Sequence, residues 1–259
     1  MGTKEIQGKL WSIAPSNWSN LFEPGFLPMY RHVTDKLDLK NSTLLDAGCG
    51  SGMFSSMAAA AGAQVTGVDA AAGLLRIARE RNPASKFTEE DLESLSFKDE
   101  TFDIVAGFNS FQYAGSFPSA LQEAKRVLKT GGTLVIGIWA KPELSEATRV
   151  LKAIGSLLPP PPPGTPGPFA LSEDGRMESE LAAVGLELTD RASIACPFLY
   201  HTLEDAVDSF MGTGPAAAAL NFSPKHLVEK AAEEALGQFR ITEGIHFLQN
   251  QFLVFMARK

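Results

Sequence analysis

The chain has 259 residues, 44% of them hydrophobic and 20% charged, with a formal net charge of −7. That balance describes an ordinary globular protein able to bury a large core, and an acidic surplus without any run of Lys or Arg argues against a nucleic-acid partner, since phosphate binding needs clustered cations. Two cysteines exclude a disulfide framework, no apolar run reaches membrane-spanning length and the first residues lack an apolar signal core, so the expectation is a cytoplasmic protein with no membrane partner.

Residues 1–40 carry Trp11, Trp18, Phe22, Phe26, Met29 and Tyr30, a dense apolar load that Pro15, Pro24 and Pro28 cut into short pieces, with a helix expected from Pro28 to about Leu39. From Thr43 the pattern becomes regular. The apolar run Thr43-Leu44-Leu45-Asp46-Ala47 reads as a strand released into Gly48-Cys49-Gly50-Ser51-Gly52 just before a helical stretch. Glycines there remove side chains from a contact surface and permit backbone angles that other residues resist. An alanine-rich helix over 53–61 can lie close against a sheet, and Gln64-Val65-Thr66-Gly67-Val68-Asp69 is a second strand ending in an acid about twenty residues beyond the turn, the spacing at which a ribose is held. A helix over 71–81, closed by Asn82-Pro83, leads to a short third strand at 86–88 and then to Asp91 and Leu92. A fourth strand at 102–105 runs into Gly107-Phe108-Asn109-Ser110-Phe111, and a helix over 116–128 ends in the Gly131-Gly132 turn before a fifth strand. Strands separated by helices imply a parallel sheet covered on both faces, with the ligand beyond the carboxyl ends of the strands where their order reverses.

The remainder is looser. Residues 142–154 read as a helix, and five consecutive prolines at 159–163 favour a stiff extended loop bridging two elements, with a proline-recognition ligand as the other reading. A helix then runs to Val184 and stops at Gly185, a sixth strand covers 187–198 and a seventh 246–257. Between those two strands, 202–237 is helical, with glycines around Met211 that suit a mobile cover over a site.

The ordered motifs over about 41–140 resemble the class I S-adenosylmethionine-dependent methyltransferases, in particular the small-molecule branch that includes quinone-biosynthesis C-methyltransferases. The resemblance implies an α/β, Rossmann-like seven-stranded sheet, mostly parallel with an antiparallel last strand, plus N-terminal and late helical lid elements. Within it the sixth and seventh strands form an antiparallel addition at one sheet edge. A single domain of residues 1–259 would then divide into an N-terminal lid segment (1–40), a cofactor-binding core (41–153), a Pro-rich loop (154–170), a helical lid insertion (202–240) and the last strand (241–259). The implied cofactor is S-adenosyl-L-methionine and the implied partner a small-molecule methyl acceptor; no motif specifies an oligomeric state or the atom methylated.

By the same resemblance Asp46, Ala47, Gly48, Gly50 and Gly52 meet the methionine portion, Asp69 with Ala70 the ribose, Asp91 and Leu92 the adenine, and Asn109 lies between cofactor and acceptor. Local alternatives stand beside each: Asp46 as a cap on the turn, Asp69 as an N-cap, Asp91 as a solvated acid, Asn109 as a turn residue. Arg31 meets the methionine carboxylate or is a surface cation. Trp18, Tyr30, Phe108, Phe111, Trp139, Tyr200 and Met211 suit a substrate pocket for an apolar or aromatic metabolite, or else serve as core. His201, beside Tyr200, and Tyr113, past the fourth strand, are the candidate catalytic residues for acceptors that need a proton removed. No metal-ligand spacing is present and none is required for the displacement. Competing readings are a nicotinamide-dependent oxidoreductase, whose phosphate turn expects a small residue where this chain has Met53 and Phe54, and a non-catalytic S-adenosylmethionine-binding regulator, whose acceptor chamber would be filled by side chains.

Overall fold

The computed structural model describes residues 3–160 and 169–259, so Pro161, Pro162 and Pro163 of the Pro-rich loop lie outside the described residues. The chain opens with α1 (Lys4–Trp11) and α2 (Pro15–Asn17), then irregular helical turns at Trp18–Phe22 and Glu23–Phe26. Pro24 and Pro28 have no amide hydrogen to give a continuous ladder, which keeps those turns short before α3 (Leu27–Lys36). Strand and helix then alternate: β1 (Thr43–Ala47), α4 (Met53–Ala60), β2 (Gln64–Asp69), α5 (Ala72–Arg81), β3 (Lys86–Glu89), β4 (Phe102–Phe108), α6 (Phe117–Val127) and β5 (Leu128–Trp139). Apolar β1 and β4 are buried on both faces, as central parallel strands must be, while α6 turns Ala120, Leu121, Ala124 and Val127 inward at helical spacing. The second half adds α7 (Ala147–Gly155), α8 (Arg176–Ala183), β6 (Glu187–Ala195), β7 (Phe198–Tyr200), α9 (Leu203–Met211), α10 (Gly214–Ala219), α11 (Lys225–Leu236), β8 (His246–Leu248) and β9 (Gln251–Arg258).

The main sheet has seven strands in the order β3-β2-β1-β4-β5-β9-β6. β1 pairs in parallel with β2 and β4, and β9 runs antiparallel to both of its neighbours. Strand order therefore reverses between β1 and β4, which opens a crevice at their carboxyl ends. The expected sixth and seventh strands do meet at one edge of the sheet, with β9 between β5 and β6 and β6 outermost. One detail departs from the sequence expectation: the strands expected over 187–198 and 246–257 are each broken in two. Pro197 has no N–H, so the β6 ladder ends where Cys196 N–H donates to the Asn250 carbonyl at 2.8 Å. Past that bend β7 and β8 form a separate two-stranded ribbon.

The core fills both faces of the sheet. The N-terminal aromatics are part of it: Phe26 stacks edge-on against Phe252 at 5.1 Å and Phe22 against Phe198 at 5.1 Å, both buried. Residues 18–26 are thereby fixed to the sheet by apolar contact. Among the described residues no helix is long and apolar enough to cross a membrane.

Candidate active site

The glycine turn leaves β1 with Gly48, Gly50 and Gly52 at φ +79°, +54° and +79°, angles that side-chain-bearing residues resist. A Cβ on Gly50 would stand 3.4 Å from Trp18 Nε1, so the bare backbone is what keeps space open there. Asp69, at the tip of β2, holds the turn in place: its Oδ2 accepts from Gly50 N–H and its Oδ1 from Ala71 N–H, each at 2.8 Å. Burial raises its pKa and the backbone donors oppose that rise. The local bond to Ala71 and the bond to the turn coexist in one carboxylate.

Gly48, Gly50, Asp69, Ala70, Asp91, Leu92 and Asn109 all line one cleft of about 670 Å³, its open mouth included. Asp46, Ala47 and Gly52 do not. The Asp46 carboxyl is buried behind the turn, where Oδ2 accepts from the Ser55 hydroxyl at 2.6 Å, and burial, aided by the negative charges of Glu23 and Asp69, pushes its pKa up to about 7. The Ala47 carbonyl accepts from Ser110 Oγ at 2.6 Å. Gly52 allows α4 to pack on α5, since a Cβ there would meet Ala78 and Asn82 at 3.0 Å. These three residues support the turn from its rear. Asp91 orders its own loop by accepting from Glu93 N–H at 3.0 Å.

Asn109 is held at φ +50°, with its N–H donating to the Gly137 carbonyl at 2.8 Å. Its Oδ1 accepts from Gln112 at 3.3 Å, and its Nδ2 is buried without a partner, as is Trp18 Nε1. Asn109, Trp11, Trp18 and Tyr113 are shared with a second, inner chamber of about 280 Å³ that includes its opening. Phe22, Phe26, Trp139, Leu151, Thr213 and Pro215 complete its wall.

Of the expected substrate-pocket residues, Trp18 and Trp139 reach the chamber and Phe108 the outer cleft. Tyr30, Phe111, Tyr200 and Met211 line neither. Tyr30 packs on Phe108 at 5.0 Å and Phe54 at 5.7 Å in the core, Phe111 joins the cluster on the opposite face of the sheet, the Tyr200 hydroxyl bonds Ser209 at 2.8 Å, and Met211 is buried in α9. His201 is exposed and borders neither cavity, so the structure does not bring it to the site. Tyr113 borders both; burial pushes its phenol up to about 12, so it stays protonated near neutrality.

The N-terminal segment closes over the cleft. A Cβ on Gly8 of α1 would fall 2.3 Å from the Ala70 carbonyl oxygen, the Thr3 hydroxyl donates to the Tyr113 carbonyl, and Trp11 packs edge-on against Trp18 at 4.8 Å. Arg31 is exposed and takes no part. The arginine at the turn is Arg81, whose Nη1 donates to Glu23 Oε2 at 2.6 Å and to the Ser51 carbonyl at 3.2 Å, while Nη2 donates to the Ser19 carbonyl at 2.9 Å. Glu23 is 2% exposed and also accepts from the Ser51 hydroxyl; burial raises its pKa despite those partners. This ion pair pins the N-terminal segment to the glycine turn. Sequence reasoning passed over both residues, although a lone acid inside an aromatic stretch was a signal.

A model described as "Methyltransferase domain" matches residues 45–136. Malonyl-[acyl-carrier protein] O-methyltransferase of Erwinia pyrifoliae is 36% identical over 116 residues, 45% of this chain and 44% of that protein. Sterol 4-C-methyltransferase strm-1 of Caenorhabditis elegans is 29% identical over 136 residues, 50% of this chain and 41% of that protein. The chain thus spans under half the length of these curated relatives. Among solved structures, the YcgJ protein of Bacillus subtilis aligns with a TM-score of 0.60 at 19% identity, covering 89% of this chain and 97% of its own. The [4+2]-cyclase SpnF aligns with a TM-score of 0.58 at 21% identity, covering 89% and 79%; at such identities the likeness concerns the fold alone. Motif order, sheet order and the matched domain agree, and residues 45–136 form a methyltransferase domain of the class I S-adenosylmethionine-dependent kind.

Proposed function

We propose that the chain catalyses methyl transfer from S-adenosylmethionine to a small apolar or aromatic metabolite in the cytoplasm. The observation that carries this reading is the adjacency of two cavities: a cleft with a bare glycine turn and the acids Asp69 and Asp91 shares Asn109, Trp18 and Tyr113 with an aromatic chamber. The residues present fit the cofactor. Gly50 forms a cradle that a Cβ would narrow, and the buried Trp18 Nε1 and Asn109 Nδ2 have no protein partner. In this reading the amides of Gly48 and Gly50 meet the methionine portion, Asp69 accepts from the ribose hydroxyls with the lone pairs that Gly50 and Ala71 leave free, and Asp91 with the Leu92 amide meets the adenine.

When bound, the cofactor supplies a methyl group on a positively charged sulfur. The chain's own part is alignment and exclusion of water: Trp18 and Trp139 wall the acceptor, Asn109 and Tyr113 border the reacting centre, and α1 covers the cleft. Both cysteines are free and buried, which supports a reducing compartment.

The test has two stages. S-adenosylhomocysteine should raise the melting temperature where a nicotinamide dinucleotide does not. Labelled cofactor should then pass its methyl group to members of a panel of phenols, quinones, amines and carboxylates. Firm cofactor binding with no transfer to any of them would favour the regulator reading instead.

A further inference from the structure

We propose that Glu93 is a positioning residue: it ties the loop at the adenine end of the cleft to the loop that carries Tyr113, so that a bound cofactor fixes the wall shared with the inner chamber. This rests on the cofactor reading above, in which Asp91 and Leu92 meet the adenine.

The loop after β3 is held mainly by acids. Glu90 accepts from Ser96 N–H at 3.2 Å and from the Ser96 hydroxyl at 2.6 Å, Asp91 accepts from Glu93 N–H at 3.0 Å, and Glu123 of α6 accepts from Leu95 N–H at 2.8 Å. The Glu93 carboxylate does something different. Its Oε1 reaches out of the loop and accepts from Gly115 N–H, 22 residues on, at 2.7 Å. Gly115 precedes Ser116, whose hydroxyl accepts from Ser119 N–H at 3.3 Å and caps α6. A carboxylate beside a helix N-terminus meets free amides and the positive end of the dipole, which by itself is an ordinary structural use.

Two features take Glu93 beyond a helix cap. The Asp91 carboxylate fixes the Glu93 amide, so a single hydrogen bond joins the residue assigned to the adenine to the residue that anchors Gly115. Leu92 and Ala114 also pack against one apolar cluster, and both line the cleft. The loop they share with Tyr113 is secured at its start, where Ser110 Oγ donates to the Ala47 carbonyl at 2.6 Å, and at its end by Glu93. Between these points the Thr3 hydroxyl, from the N-terminal segment, donates to the Tyr113 carbonyl. Tyr113 borders both cavities.

Glu93 is half-buried and Gly115 exposed, so water competes for their bond while the cleft is empty. An adenine that immobilises Asp91 and Leu92 keeps the Glu93 side chain within reach and strengthens the bond. By linkage the bond strengthens adenine binding by the same factor.

Wild type, Glu93→Ala and Glu93→Gln are compared as full chains shown by urea unfolding to be folded, with S-adenosylhomocysteine as the probe. Glutamine keeps an oxygen for Gly115 N–H and alanine does not. In calorimetry Glu93→Ala should bind about 3- to 10-fold more weakly than wild type, and Glu93→Gln within about twofold of it. In wild type the ligand should slow hydrogen exchange of the Gly115 amide by about the same 3- to 10-fold; in Glu93→Ala it should not change that rate. A cap alone would change stability and leave the ligand affinity untouched. Unchanged affinity in Glu93→Ala, or a Glu93→Gln variant as weak as Glu93→Ala, therefore overturns the proposal. The exchange measurement on wild type needs no variant, and equal Gly115 exchange with and without S-adenosylhomocysteine overturns it as well. Wild type that fails to bind S-adenosylhomocysteine at all refutes the cofactor reading, and the role of Glu93 with it.

Discussion

Asp46→Asn is the substitution whose consequence the structure specifies most fully. The carboxyl is 1% exposed, and burial is the largest influence lifting its pKa from 3.8 to about 7, with Glu23 and Asp69 adding repulsion and Ser55 opposing. Because the folded-state value lies above the unfolded one, the native protein keeps a proton that the unfolded chain releases. The stability this contributes is complete below about pH 4 and is lost as pH rises through about 7. A displacement from 3.8 to about 7 corresponds to about 4 kcal/mol, an upper bound on the loss. Asparagine keeps an oxygen for the Ser55 hydroxyl and has no proton to lose. Urea unfolding of the cofactor-free protein at steps between about pH 4 and about pH 8 should therefore show wild type losing up to about 4 kcal/mol relative to the variant. Glu23 and Asp69 are raised too, so both proteins retain a slope from them and only the difference reports Asp46. Parallel curves would refute the reasoning.

Asp69→Ala should weaken S-adenosylhomocysteine binding by about 1–3 kcal/mol in calorimetry, and unchanged affinity in a folded variant would remove Asp69 from the ribose role. Gly8→Ala places a Cβ 2.3 Å from the Ala70 carbonyl oxygen, so α1 must lift; dissociation of S-adenosylhomocysteine, followed by stopped flow, should quicken about tenfold, from overpacking of about 1–3 kcal/mol, and an unaltered rate would mean that α1 does not gate the cleft. Arg81→Met strands the Glu23 carboxylate and should cost about 3 kcal/mol in urea unfolding. Adding Glu23→Gln should recover most of that loss, and if it recovers none the ion pair is not its source.

The alternation of strands and helices, the glycine turn and the acids at successive strand ends were legible because each is a local spacing. What was not legible depends on contacts far apart in sequence or on which way a chain turns. Glu23 and Arg81 are 58 residues apart and neither carries a motif. That Asp46 is buried and off the cleft lining was not legible, because a strand buried on both faces offers no alternation to tell front from rear. Phe108 and Phe111 fall on different faces of the sheet because Asn109 turns left-handed between them, which no periodicity foretells. Two signals were present and unused: Pro197 inside an expected strand marked the break after β6, and the alternation of β7, with Phe198 and Tyr200 inward and Leu199 outward, sends the following His201 away from Tyr200.

The place of β9 has a consequence for how the protein is made. Synthesis runs from the N-terminus, so β1 to β5 are available to pair well before Gln251–Arg258 leaves the ribosome, while β6 has no neighbour in the main sheet except β9. The nascent sheet must wait with β5 unpaired along one side and with β6 tethered but undocked. Completion waits for β9, which has β5 on one side and β6 on the other, and until then the unpaired edge of β5 is open to aggregation or to a chaperone.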